Sequence, residues 1–488
     1  MRHAPRVPSL LAVPLAACLW LAAGCATNPA TGQRQLSLIG EEQEIAMGRE
    51  ADQQIVQALG LYPDEDLQRY VDTVGRRLAA ESERPNLPWT FRVIDDATVN
   101  AFALPGGFIY LTRGIMTYFN NEAEMASVLG HEIGHVTARH QVEQLSRQQL
   151  AGLGLGLGMI LSPELRQFGD LAQTGLGLLF LKYGRDDERQ ADDLGLRYAV
   201  REDYDPSQMP NVFETLARVS AAQGAGRVPA WLSTHPDPGA RAERIRQVLA
   251  EEGAQTSVAR VERAAYLGHL DGTVFGEDPR QGFFRGNTFY HPELAFSIDF
   301  PQGWRTVNQR AQVGAISPNQ DAVVVLTLAG ADSAEAAARQ FFNQQGVRSG
   351  QPRAGNLNGL QAVSGPFQVS QAQGAPDIVG IAAFVEHRDQ VYRLLGYTTQ
   401  NRWNQHGGGL DRALESFDRV TDRRVLDVQP AHIDVVRVPN EMTLREFQQR
   451  YASSADLETL ALINQVGTNS RLAAGLEVKR VVGGELPR

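Results

Sequence analysis

The stretch "NNEAEMASVLGHEIGHVTARH", Asn120 to His140, constrains this chain more than any other. Asn121 with Glu124 three residues on is a helix-start signal, an N-cap followed by a carboxylate in the first turn, so one helix should run through the histidines. On that helix His131 and His135, four apart, are offset by only about 40° and lie within roughly 5–6 Å of each other. Two imidazoles held this way can share one metal ion. Glu132 sits about 100° from His131, able to reach a water on that metal but not to ligate it. This is the His-Glu-x-x-His arrangement, in which zinc acidifies water and the glutamate takes its proton. The longer pattern with glycine and a third histidine would need them at 138 and 141, where Ala138 and Gln141 stand. His140 misses by one, and is expected at the surface or behind a ligand.

A catalytic zinc takes three protein ligands, so one more must come from elsewhere. Glu188, in "GRDDERQADDLG" on a second predicted helix, is the strongest candidate. Asp192, four residues on, shares its face and can hold a zinc histidine by its other nitrogen. Asp186, Asp187 and Asp193 compete for the ligand role, and spacing alone does not separate them.

At 488 residues the chain exceeds one ordinary core, and two or three domains are expected. A net charge of −10 offers no basic surface for phosphate backbones, which argues against nucleic acid as a partner. Residues 1–24 carry Arg2, His3 and Arg6 before a short, proline-broken apolar run, the layout of a signal peptide. The run ends in "LAAGC", which resembles the lipobox of bacterial lipoproteins and implies a lipid on Cys25. Cys18 would leave with the signal, so no disulfide is expected. Residues 25–36 read as a tether. From Leu36 to Arg84 the chain reads as helical, with Leu67, Tyr70, Val71, Val74 and Leu78 as one buried stripe. "WTFRVIDD" and "GGFIYLTRGI" read as strands. The apolar, glycine-rich stretch from Leu150 to Leu181 has pieces too short to span a membrane and reads as two closely packed helices. Residues 266–284 read as a linker, 285–425 as an α+β domain of short alternating runs, and His406 beside three glycines as a loop.

"NAFALPGG", "ASVLGHEIGHVTARH", "RDDERQADDLG" and "STHPDPGAR" occur in an order that resembles the M48 family of zinc metallopeptidases, in its periplasmic branch. The resemblance covers about Glu41 to Leu249 and assigns 37–265 to a mainly helical, gluzincin-type metallopeptidase domain with a small sheet. It implies one zinc held by His131, His135 and Glu188, with Glu132 as catalytic base. It also implies a proton-donor role for Asp192, although holding a zinc ligand is physically easier. His235 matches a histidine that can approach the metal, to stabilise the oxyanion or to cap the zinc at rest, with Arg241 beside it. Asn100 to Gly107 matches an edge segment that receives extended substrate by strand addition.

The opening of the 285–425 region, "NTFYHPELAFSIDFPQGWRTV", is similar to the first strands of the PsbP/Mog1-like fold. Residues 432–488 resemble a LysM module of βααβ order, which implies peptidoglycan glycans as a partner, with Asn440-Glu441-Met442 replacing the usual Gly-Asp. Together these features predict an α+β multidomain zinc endopeptidase of the periplasm, anchored to the outer membrane and acting on misfolded or misassembled envelope proteins. The alternative is a chaperone or assembly factor for outer-membrane proteins with proteolysis normally restrained.

Overall fold

The computed structural model describes residues 25–154, 182–223, 230–252, 259–371 and 376–486. The signal segment and most of the glycine-rich stretch after Leu150 lie outside the described residues. Among the described residues no helix is long and apolar enough to cross a membrane.

The chain opens with a hairpin, β1 (Cys25–Thr27) and β2 (Arg34–Leu36), followed by helices α1 (Glu41–Leu59) and α2 (Glu65–Ala80). Asp64 caps α2 by accepting from the Leu67 amide, and the helix buries Leu67, Val71, Val74 and Leu78, the stripe set by their spacing. Tyr70 lies at the border of that stripe, its hydroxyl donating to Glu122 at 2.7 Å. Strands β3 (Thr90–Ile94), β4 (Ala101–Leu104) and β5 (Phe108–Thr112) form a sheet in the order β3-β5-β4, so β4 is an outer strand. After the short α3 (Arg113–Met116), α4 (Glu122–Thr137) runs through the middle of the domain with every residue buried. Burying Val128, Leu129, Ile133 and Val136 stabilises it by about 1.5–3 kcal/mol per side chain. Helices α5 (His140–Gly154), α6 (Arg185–Arg201), α7 (Gln208–Gln223), α8 (Ala230–Thr234), α9 (Pro238–Glu252) and α10 (Arg263–Leu270) surround it.

The next unit is built on an eight-stranded antiparallel sheet with a smaller four-stranded one beside it. Successive residues of its central strands enter different cores. Val324, Ala383 and Leu394 pack under the helix Trp403–Glu415, whereas Ala382, Phe384 and Leu395 pack under the helix Ala334–Phe342. That period of two is what a sheet covered on both faces requires. Where the unit begins and ends, Phe283 packs with Val425 and Val428 in one small apolar cluster.

The last unit runs strand Ala431–Arg437, helix Leu444–Arg450, helix Leu457–Ile463, strand Glu477–Gly483. Its two strands pair with each other, and Ala431–Arg437 also pairs with β6 (Val274–Phe275). The stretch 266–284 is therefore not a free connector. It buries Tyr266, Leu267, Leu270 and Val274, and their core is continuous with that of the final unit. Its turn-forming Gly, Asp and Pro residues read as a linker because they make the tight corners between α10, β6 and the next strand. Lys479, 0% exposed, donates to the carbonyls of Thr117 and Phe119, both at 2.7 Å, directly before α4. Gln465 adds bonds to Tyr118 O and the Glu124 carboxylate. The core around α4 is thus completed by the β-α-α-β unit, and the sheet domain is looped out of it.

Candidate metal centre

Three glycines set the geometry. A Cβ at Gly195 of α6 would meet the backbone nitrogen of His131 at 2.6 Å, and one at Gly130 or Gly134 would meet the α6 backbone at 2.9 Å. With hydrogens there instead, α4 and α6 approach closely enough for Glu188 to reach the α4 histidines. His131 Nε2 lies 3.1 Å from His135 Nε2 and 3.7 Å from Glu188 Oε2, and Glu188 Oε1 lies 3.4 Å from His135 Nε2. A fourth donor comes from the turn after α8: His235 Nδ1 is 3.2 Å from His131 Nε2 and 2.9 Å from Glu188 Oε1. All four donor atoms lie within 4.8 Å of one another and all four residues are buried. Zinc bonds of about 2.0–2.1 Å at tetrahedral angles put ligand atoms roughly 3.3 Å apart, so three imidazoles and a carboxylate at these separations fit zinc.

Residues 65–249 match the family model "Peptidase family M48". The chain carries an M48 peptidase domain. A beta-barrel assembly-enhancing protease of Yersinia pestis is 34% identical over 229 residues, 45% of this chain and 46% of that protein. The mitochondrial metalloendopeptidase OMA1 of Arabidopsis thaliana is 30% identical over 234 residues, 47% of this chain and 45% of that one. The chain thus spans about half the length of these curated relatives. A solution structure of cyanobacterial PsbP from Synechocystis is similar over 27% of this chain and 91% of its own, at 14% identity and a TM-score of 0.23. M48 metallopeptidases are zinc-dependent, which agrees with the donor set.

In this M48 domain Glu132 is 0% exposed; the Trp231 indole is the side-chain donor that faces its carboxylate, outside ordinary hydrogen-bond geometry, and His235 Nε2 is 3.6 Å away. Burial pushes the Glu132 carboxyl up to about 7, and the charge on Glu188 adds to the rise. Burial and the neighbouring Arg241 cation push His131 down to about 3, which keeps its imidazole neutral and able to ligate. Burial works against the Glu188 carboxylate, but His235 and Arg241 outweigh it and hold the group well below the usual range.

Asp192 Oδ1 lies 3.0 Å from His131 Nδ1, the ring nitrogen facing away from the other donors. Arg241 joins the two α6 carboxylates, donating to Asp192 at 2.6 Å and standing 2.6 Å from Glu188. Its guanidinium lies over the Phe213 ring at 4.2 Å. The rival carboxylates point elsewhere: Asp186 is solvent-exposed, Asp187 accepts from the Gly184 amide at the start of α6, and Asp193 pairs with Arg244. His140 is buried, not at the surface, with Nδ1 2.9 Å from His135 Nδ1. His406 and the three glycines after it form no loop but part of the helix Trp403–Glu415 of the sheet domain, where His406 lies 3.0 Å from Asp321.

Sequence reading missed the aromatic walls. Tyr183 stacks on His135 with centroids 3.8 Å apart, and Trp231 stacks on His235 at 4.9 Å. Neither lies at a ligand spacing. The "LKYG" and "PAWLSTH" contexts show only that each directly precedes a segment carrying a donor.

The close helix approach makes a testable demand. Gly195→Val should separate α4 and α6 and lower zinc affinity by at least ~10-fold, with a thermal midpoint several degrees down, since overpacking typically costs about 1–3 kcal/mol. Metal titration and melting of the variant check this.

Proposed function

We propose that the chain is a zinc-dependent endopeptidase of the bacterial envelope, acting on misfolded or misassembled outer-membrane and periplasmic proteins. The observation that carries the reading is the buried four-donor cluster with the buried Glu132 carboxylate beside it. The similarity to a beta-barrel assembly-enhancing protease supports the substrate class. In this reading His131, His135 and Glu188 hold the metal. Zinc supplies the positive charge that acidifies water and polarises a peptide carbonyl. Glu132 takes the proton of the attacking water and returns it to the leaving amine. Asp192 orients His131 through its Nδ1, and Arg241 fixes Asp192 and Glu188 in place. An extended substrate pairs with the outer strand β4 and so presents its backbone beside the cluster. A lipid on Cys25, the first residue of β1, attaches the protein to the outer membrane; the β-α-α-β unit, read as LysM-like, adds contact with peptidoglycan; and the sheet domain, read as PsbP/Mog1-like, is a binding or spacing unit.

His235 completes a four-protein set, and a catalytic zinc needs one position for water. It therefore caps the site at rest, the arrangement that the restrained, chaperone-like reading also requires. Purified protein is expected to hold about one zinc per chain, to cleave an unfolded substrate such as casein, and to lose this activity reversibly with a chelator. His235→Ala is expected to raise basal cleavage several-fold at unchanged zinc content. If turnover instead falls at full zinc occupancy, His235 is a catalytic donor to the oxyanion and the capping role is wrong.

A further inference from the structure

His140 sits five residues after His135, a spacing that on a continuous helix would turn it about 140° away. It faces His135 because the helix breaks at Arg139, whose φ of 59° is left-handed, a conformation unusual for a long side chain. The break is held from the N-terminal part of the chain: Arg139 donates to Ile39 O at 2.8 Å and to the buried Glu44 carboxylate at 2.9 Å. Asn28, the residue directly after β1, donates to Ala138 O at 3.1 Å.

The donor and acceptor roles then follow one from another. The Asn28 side-chain oxygen accepts from the amides of Ala30 and Thr31, so its NH2 must point the other way, to Gln190, 3.4 Å distant. Facing an NH2 group, Gln190 presents its oxygen, and an amide oxygen only accepts. His140 Nε2, 2.7 Å from that oxygen, is therefore the donor. Its Nδ1 is left to accept, and the proton shared with His135 Nδ1 belongs to His135. His135 then carries its lone pair on Nε2, the atom that faces His131 and Glu188.

We propose that Asn28, Gln190 and His140 are positioning residues that fix the metal-binding tautomer of His135, and that the N-terminal segment is in this way a working part of the metal centre. The inference rests on the zinc reading above. Outer partners of ligating histidines are typically worth 10–100-fold in metal affinity. The experiment is zinc titration of the full chain against a chelating indicator at pH 8, with melting of the zinc-free proteins alongside. Gln190→Leu, which removes the acceptor, should bind zinc ~10–100-fold more weakly while its zinc-free melting stays near wild type. Gln190→Glu, which keeps an acceptor oxygen, should restore affinity to within about 3-fold. Asn28→Ala, away from the helix core, should weaken zinc in the same direction by a smaller factor. Wild-type zinc affinity in both Gln190→Leu and Asn28→Ala would overturn the relay, as would equal losses in Gln190→Leu and Gln190→Glu. A wild-type protein that binds no zinc would instead overturn the metal reading itself.

Discussion

Glu132→Gln is expected to lower the hydrolysis of an unfolded substrate by about 10³-fold or more while leaving zinc content at the wild-type level. General-base groups commonly contribute about 10²–10⁴-fold, and here the carboxylate is sealed from solvent, so outside water cannot substitute for it. The amide has nearly the same volume, and its nearest approach to the donors is to His235 Nε2 at 3.6 Å, the nitrogen turned away from the cluster, so metal binding has no reason to change. The sign of the pH effect also follows. The base must be deprotonated, and burial places its carboxyl at about 7 without metal; a bound zinc cation lowers this value. Activity should therefore fall as pH drops below neutrality, and the residual activity of Glu132→Gln should lack that acidic limb. A pH profile of kcat/KM for both proteins, with metal analysis, checks these outcomes. Loss of zinc in Glu132→Gln would count against its role as base.

Glu188→Gln is expected to weaken zinc binding by at least about 10²-fold, more than the loss of an outer partner, because it removes the one anionic donor among the four. It also leaves Arg241 with Asp192 alone. Breaking one side of a buried charged network destabilises the fold, here by about 1–3 kcal/mol because one carboxylate partner remains. Asp187→Asn, at the exposed start of α6, should bind zinc normally. Zinc affinity and thermal midpoint of the two variants separate the assignments, and the reverse pattern would move the ligand to Asp187.

The α4 helix was legible because its signals are local. The Asn121 cap, the four-residue histidine spacing and the apolar faces all act within a few turns, and the structure places α4 where they put it. The approach of Glu188 was legible only as a choice among four carboxylates, because helix phase is visible in sequence but the crossing of two helices is not. That crossing depends on Gly130, Gly134 and Gly195, which in sequence look like helix-weakening residues. The position of His140 was legible only as a choice between the surface and a place behind a ligand, and it lies behind His135. It depends on one left-handed residue, Arg139, held by groups some hundred positions earlier, and no local pattern signals such a break. The supposed linker failed for a related reason: turn-forming composition reports corners in the chain, not whether the residues between them are buried.

The clustering of Phe283 with Val425 and Val428 has a consequence for the order in which this molecule can be assembled. The core around α4 needs Lys479, Gln465 and the strand Ala431–Arg437, which are synthesised only after the whole sheet domain. Until they arrive, the carbonyls of Thr117 and Phe119 lack the Lys479 ammonium, and only the Asn121 cap and its neighbours hold the start of α4. Joining such distant segments through a floppy loop would be slow, because loop closure must precede any reward from the contacts. A sheet domain that folds first would shorten that search. Once folded it acts as a clasp, bringing its own entrance and exit together and delivering Ala431 next to Phe275, its strand partner. The surroundings of α4 would then be complete only after the strand Glu477–Gly483 has been delivered, so a chain halted before that strand would hold an unfinished core. Pulse-labelled chains truncated before Glu477 should accordingly stay protease-sensitive around α4, while chains that include that strand become resistant.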